Sequence, residues 1–224
     1  MTITLPASGR TLRPSKVLCI GRNYAAHARE MEADIPAEPL VFLKPPTALV
    51  ASGGTVVLPR QSADVHHELE LVAVIGTGGK HIAEADALAH VEAYALGLDL
   101  TARDVQARAK AERAPWTVAK GFDTFAPLGP LLAADALGDP QAVEIALTVD
   151  DETRQRGTTA DMIFSVARVV SFLSSAFTLE PGDLIYTGTP EGVGPVRDGD
   201  TLVATGRGAS GVELPALTVT ARAE

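Results

Sequence analysis

Along this chain the hydrophobic and polar positions alternate mostly at the period of strands, with helical spacing confined to a few short segments. Apolar runs at Val17 to Gly21, Leu40 to Leu43 and Thr55 to Leu58 each stop at glycine, proline or lysine and predict strands. The stretch His66-His67-Glu68-Leu69-Glu70-Leu71-Val72-Ala73-Val74-Ile75-Gly76 reads as one strand, and Val91 to Leu100 as another. Val143 to Val149, the turn at Asp150-Asp151 and the polar segment after it predict a hairpin, and Leu184 to Thr187, Thr201 to Ala204 and Val212 to Thr220 finish the chain as strands. Asn23 is placed to cap a helix through about Glu32, and a short helix is predicted near Glu84 to His90. Thr101-Ala102-Arg103-Asp104 has the capping-box spacing and predicts a helix through about Glu112. Met162, Ile163, Val166, Val169, Val170, Leu173 and Phe177 form one apolar stripe at helical spacing. The pattern predicts a mainly β fold with a few short helices, as one domain over residues 1–224.

Alternation along the stretch from His66 puts Glu68 and Glu70 on one face with His66, and Leu69 and Leu71 on the other. Two adjacent carboxylates repel unless a proton or a cation lies between them. Oxygen ligands alone suit Mg²⁺, Mn²⁺ or Ca²⁺. Asp99, at the polar end of Tyr94-Ala95-Leu96-Gly97-Leu98-Asp99-Leu100, is the candidate third ligand, with His66 a neighbour rather than a ligand. A solvated strand face would show the same spacing, and on spacing alone both readings stand. His27 and Glu30, three apart, share a helix face and form either an imidazole–carboxylate pair able to take a proton from water or an ordinary surface pair. Arg103 and Gln106 share a face where a substrate carboxylate could be met, or merely a solvated one. Lys120, in a stretch poor in other charges, is either buried against a carboxylate or snorkelling at the surface. Thr187 to Pro195 holds three glycines and two prolines, the composition of a tight, backbone-rich loop.

Composition narrows the partners. With 224 residues, 46% of them hydrophobic, the chain can bury a substantial core, and a net charge of −9 speaks against nucleic acid. The single Cys19 excludes an intrachain disulfide and fits a reducing compartment. The opening residues do not resemble a signal peptide and no segment has the apolar length of a bilayer span, so a cytoplasmic protein without a membrane partner is expected.

Gly21-Arg22-Asn23-Tyr24 with His27 and Glu30, Phe42-Leu43-Lys44-Pro45, His67-Glu68-Leu69-Glu70-Leu71, Asp99 to Gln106, Trp116 with Lys120, and Thr187 to Pro195 together closely resemble the fumarylacetoacetate hydrolase family, in order from about residue 16 to 220. The resemblance is to its short, single-domain form, similar to acylpyruvases, oxaloacetate decarboxylases and fumarylpyruvate hydrolases. It implies a mixed β-roll of packed sheets, assembled as a homodimer. It also implies that Glu68, Glu70 and Asp99 hold one Mg²⁺ or Mn²⁺, that His27, Glu30 and Lys120 are catalytic, and that Arg22, Arg103, Gln106 and Thr189 meet substrate. Residues 22 to about 38 would be a mobile lid over the site. The implied activity is metal-dependent hydrolysis of a C–C bond in 3-acylpyruvates such as acetylpyruvate or fumarylpyruvate, with pyruvate leaving as an enolate. The alternatives are an oxaloacetate decarboxylase, a decarboxylase and isomerase of an unsaturated 2-oxo diacid in aromatic catabolism, and a non-catalytic, metal-stabilised binder of 2-oxo acids.

Overall fold

The computed structural model describes residues 1–32 and 34–224, so Ala33, inside the expected lid, lies outside the described residues. Two mixed sheets carry the core. The larger one runs in the order Leu40–Lys44, Val17–Gly21, Leu184–Tyr186, Leu69–Ile75, Val91–Leu98, Ala126–Leu128, Leu49–Ala51, with Leu132–Ala133 also pairing to Val91–Leu98. The second has the order Glu152–Thr158, Val143–Val149, Thr201–Gly208, Glu213–Ala223, Thr55–Leu58. A small third sheet joins Thr101–Ala102, Val65–His67 and Gly194–Pro195. These are curled, packed sheets with short helices between them, a mostly β fold.

Leu69–Ile75 is buried along its whole length because both of its faces are covered. Leu69, Leu71, Ala73 and Ile75 face a core shared with Val143, Ile145, Leu147, Leu202 and Leu217 of the second sheet. Val72 and Val74 face a separate cluster with Val17, Cys19, Leu5 and Tyr186. Period-two alternation therefore assigns Glu70 to the face of Val72 and Val74, at the end of the strand. Opposite Glu70 in the register stands Gly97, where a Cβ would lie 2.6 Å from both Tyr186 Cε1 and Val72 Cγ2, so only glycine fits.

Several expectations are corrected. The stretch from His66 is two strands, Val65–His67 and Leu69–Ile75, which belong to different sheets and separate at Glu68. Pairing decides this: Val65–His67 bonds to Thr101–Ala102 and Gly194–Pro195, whereas Leu69–Ile75 bonds to Val91–Leu98 and Leu184–Tyr186. Asn23 does not cap the first helix. That helix, α1, spans Ala25–Glu30 with Tyr24 at its N-cap, while the Asn23 amide donates to the carbonyls of Phe164 and Thr187 and accepts from Phe164 N–H. Nor does Thr101 form a capping box. Helix α2, Arg103–Ala111, has no side-chain cap, Thr101 donates to Asp99 O, and Asp104 accepts from Ser62 Oγ, Ala63 N–H and Val105 N–H. Met162 and Ile163 precede the helix Val166–Ala176 rather than lying on it. Among the described residues, no helix is long and apolar enough to cross a membrane.

Candidate functional site

The ladder between Leu69–Ile75 and Val91–Leu98 continues one step past its last register pair, where Asp99 N–H donates to Glu68 O at 2.8 Å. Glu68, Glu70 and Asp99 thus gather at one end of the two central strands. A carboxylate oxygen from each lies within 4.8 Å of the others, and all three residues are buried.

Cations surround two of the three. Glu68 takes Arg103 Nη2 on Oε1 at 2.6 Å and Lys120 Nζ on Oε2 at 2.8 Å. Asp99 takes Lys120 Nζ on Oδ2 and Lys44 Nζ on Oδ1, each at 2.6 Å. Lys120 sits on the short helix α3, Thr117–Gly121, with its ammonium 4.8 Å from the centre of the Phe42 ring. Burial alone would raise Glu68, but Lys120 and Arg103 outweigh it and hold its carboxyl well below the ordinary range. Burial likewise works against the Lys120 ammonium, and Asp99 and Glu68 more than reverse it, raising its pKa.

Glu70 differs. Among the described residues it makes no ion pair, and its Oε2 accepts only the backbone N–H of Gly188 at 2.7 Å. Burial, reinforced by the charges of Asp99 and Glu68, pushes its carboxyl well above the ordinary range. A buried carboxylate without a cation, facing two others, is the arrangement a divalent ion would complete, and an all-oxygen donor set suits a hard ion such as Mg²⁺ or Mn²⁺. Gly188 must be glycine here: its φ is +103°, and a Cβ would come within 2.5 Å of Asn23 Cβ.

His27, on α1, is buried, and its Nδ1 lies 3.1 Å from Glu30 Oε2. The other Glu30 oxygen accepts Gly192 N–H at 3.0 Å. A carboxylate on Nδ1 fixes the Nδ1–H tautomer, leaving Nε2 free as a base. His27, Glu68, Glu70, Arg22, Arg103, Gln106, Lys120 and Thr189 all line one cavity. Asp99 lies beneath it at 1% exposure, and Glu30 lines the adjoining cavity, reaching this one through His27. His66 does not line it; its Nε2 pairs with Asp64 at 2.9 Å. Arg22 holds a left-handed backbone conformation, φ +58°, at the turn from the strand Val17–Gly21 into α1. Such a conformation costs an L-residue roughly 1–2 kcal/mol.

Three participants were not singled out by sequence reasoning. Lys44 ends an edge strand, yet its side chain is wholly buried: its three hydrogens go to the carbonyls of Leu100, Lys120 and Phe125, and its charge lies 2.6 Å from Asp99 Oδ1. Besides its place in the segment Phe42-Leu43-Lys44-Pro45, the sequence signal is a lysine that closes an apolar strand directly before two prolines. Gln155, at 1% exposure, lies in a hairpin that reads as solvent-facing and gave no signal. Lys110 lines the cavity next to Arg22, and its Nζ lies 5.5 Å from the Trp116 ring centre.

Residues 16–218 match the family described as fumarylacetoacetate (FAA) hydrolase C-terminal. A mitochondrial oxaloacetate tautomerase of Arabidopsis thaliana is 48% identical over 200 residues, covering 89% of this chain and 90% of that protein. A mitochondrial oxaloacetate decarboxylase of Dictyostelium discoideum is 46% identical over 188 residues, covering 84% and 86%. Among solved structures, the fumarylpyruvate hydrolase of Pseudomonas aeruginosa in complex with Mn²⁺ and pyruvate is 44% identical and superimposes with a TM-score of 0.90, over 100% of this chain and 96% of that one. With its motifs in order over that span and its fold matched end to end, the chain belongs to the fumarylacetoacetate hydrolase C-terminal family.

Proposed function

We propose that the protein is a divalent-metal-dependent enzyme of 2-oxo acids that hydrolyses the C–C bond of 3-acylpyruvates. The observation that carries this reading is the His27–Glu30 pair opening onto the same cavity as Glu68 and Glu70. Glu68, Glu70 and Asp99 would hold Mg²⁺ or Mn²⁺, which as a Lewis acid would take the keto and carboxylate oxygens of a 2-oxo acid and stabilise enolate charge. His27 Nε2 removes a proton from water as the water attacks the carbonyl distal to the carboxylate. Glu30 holds the imidazole in the required tautomer. As the C–C bond breaks, the electron pair passes to the pyruvate fragment, and His27 returns its proton to the methylene carbon. Lys120, an ammonium fixed by two carboxylates, supplies positive charge beside the developing enolate. Arg103 and Gln106 meet the substrate carboxylate, and Arg22 with Lys110, neither in an ion pair among the described residues, offers charge to a second acidic group. Family resemblance supports a homodimer and one catalytic domain.

A second reading is favoured by the names of the relatives: decarboxylation of oxaloacetate, which passes through the same pyruvate enolate, or its keto–enol interconversion, which passes through the enolate of oxaloacetate itself; neither needs an attacking water. Acetylpyruvate, fumarylpyruvate and oxaloacetate, each assayed with Mg²⁺ and with Mn²⁺, separate the readings. His27→Ala is expected to lower acylpyruvate hydrolysis by about 10²–10⁴ and to hurt oxaloacetate decarboxylation less. Turnover of oxaloacetate alone would select the second reading, and no turnover of any of the three would leave a binding protein.

A further inference from the structure

We propose that Gln155 fixes the Thr189 hydroxyl as a hydrogen-bond donor facing the cavity, so that this point of the site accepts only an acceptor atom of the ligand. The proposal rests on the reading of the cavity as a 2-oxo acid site.

Leu69 N–H donates to one terminal atom of the Gln155 side chain at 2.9 Å, and a backbone N–H can only donate, so that atom is the carbonyl oxygen. His67 Nδ1 lies 3.0 Å from the same oxygen and must donate too, which fixes its tautomer. The other end is therefore the NH₂ group. Its two hydrogens go to Thr189 Oγ1 and Pro190 O, each at 2.9 Å.

Thr189 oxygen is thus already an acceptor, and its own hydrogen needs a different direction. Within the protein the alternative is Pro190 O at 3.4 Å, beyond the roughly 2.5–3.0 Å of a good O–H···O bond. Thr189 lines the cavity at 2% exposure, so the hydrogen is left for whatever the cavity holds. Gln106 is set the same way: Arg103 Nη1 donates to its Oε1 at 3.1 Å, which leaves its NH₂ for the ligand. Thr189 and Gln106 are therefore both turned into donors by a neighbour. A carboxylate or keto oxygen satisfies such a surface, whereas a ligand hydrogen there would face another hydrogen.

A double-mutant cycle tests whether Gln155 acts through Thr189. Oxalate is titrated calorimetrically into the Mn²⁺-loaded wild type, Gln155→Glu, Thr189→Val and the double variant. A carboxylate at position 155 still accepts from Leu69 and His67 but has no hydrogen for Thr189, whose hydroxyl then donates inward and shows the ligand a lone pair. Each single substitution is expected to weaken oxalate about 10–100-fold, the range for one hydrogen bond to a charged group. The double variant is expected to be no weaker than Thr189→Val, and Thr189→Ser to bind as wild type. If Gln155→Glu does not fold, the uncharged Gln155→Met replaces it, with a loss in the Thr189 background and none in the Val background. Additive losses, or unchanged oxalate affinity in the Gln155 variant, overturn the proposal. Failure of the Mn²⁺-loaded wild type to bind oxalate would instead remove the 2-oxo acid reading itself.

Discussion

The two halves of the site are held by different physics. Glu68, Glu70 and Asp99 stand at the ends of strands buried on both faces, each fixed by ion pairs or a backbone N–H. His27 and Glu30 ride on a six-residue helix, after which residues 34–38 are largely exposed, Ile35 at 53%. Glu68 and Asp99 are held in place, because moving either would leave the cations paired with it uncompensated in a low dielectric. The roof is anchored at its start, where Tyr24 and Ala28 are buried and the Asn23 side chain bonds to Phe164 and Thr187, and at the end of its helix by a single hydrogen bond from Gly192 N–H to Glu30. A fixed floor suits charges that must keep their positions through a reaction, and a lightly held roof suits substrate entry.

The largest expected effect comes from breaking the floor. Glu70→Gln should bind Mn²⁺ more weakly by over about 100-fold, more than the loss of an outer partner costs, with turnover falling in parallel. Mn²⁺ titration by calorimetry checks this, and unaltered affinity would remove Glu70 from the ion's ligands. Lys44→Met should destabilise the protein by about 3–5 kcal/mol, since it leaves three buried carbonyls without their donor and Asp99 Oδ1 without its paired charge. Urea unfolding measures it, and a loss under about 1 kcal/mol would mean that the floor relaxes.

The roof is tested by hydrogen exchange. In Mn²⁺-loaded protein, oxalate at 100 times its Kd should slow exchange at residues 25–32 and 34–38 by up to about 100-fold and leave residues 69–75 unchanged. Full protection of the roof without oxalate would end the contrast and the proposed lid with it.

Acidity sharpens the floor further. Glu70, raised in the folded state, keeps a proton there at pH values where the unfolded chain has lost it. Stability of the metal-free protein should therefore fall as pH rises above the ordinary carboxylate range, by about 1.4 kcal/mol per pH unit while that difference lasts. Glu68, held low, adds stability that is constant over this window and is lost only in stronger acid. Mn²⁺ should flatten the slope, and equal slopes with and without it would place the cation elsewhere. The smallest effect is at the hinge between floor and roof: Arg22→Gly should raise the KM for oxaloacetate yet lose no stability, gaining up to about 1 kcal/mol from relief of its positive φ.

Sequence by itself determined the strands that end on glycine or proline, because a short apolar run bounded by such residues has few other ways to bury itself. Val17–Gly21, Thr55–Leu58 and the hairpin at Asp150–Asp151, both residues at positive φ, are read from local pattern alone. The carboxylate pair was legible only as one of two readings, a cation site or a solvated face, and His27 with Glu30 likewise as a proton-accepting pair or a surface pair; burial, which spacing does not carry, excludes the solvated face for Glu68 and Glu70 and sets His27 inside the protein. Only the tertiary structure decided the break at Glu68, since it depends on which distant strands pair on either side. It also decided the partners of Asn23, Lys44 and Gln155: a polar side chain gives the same local signal whether water or a buried carbonyl satisfies it, and residues up to 164 positions away in the chain make that choice.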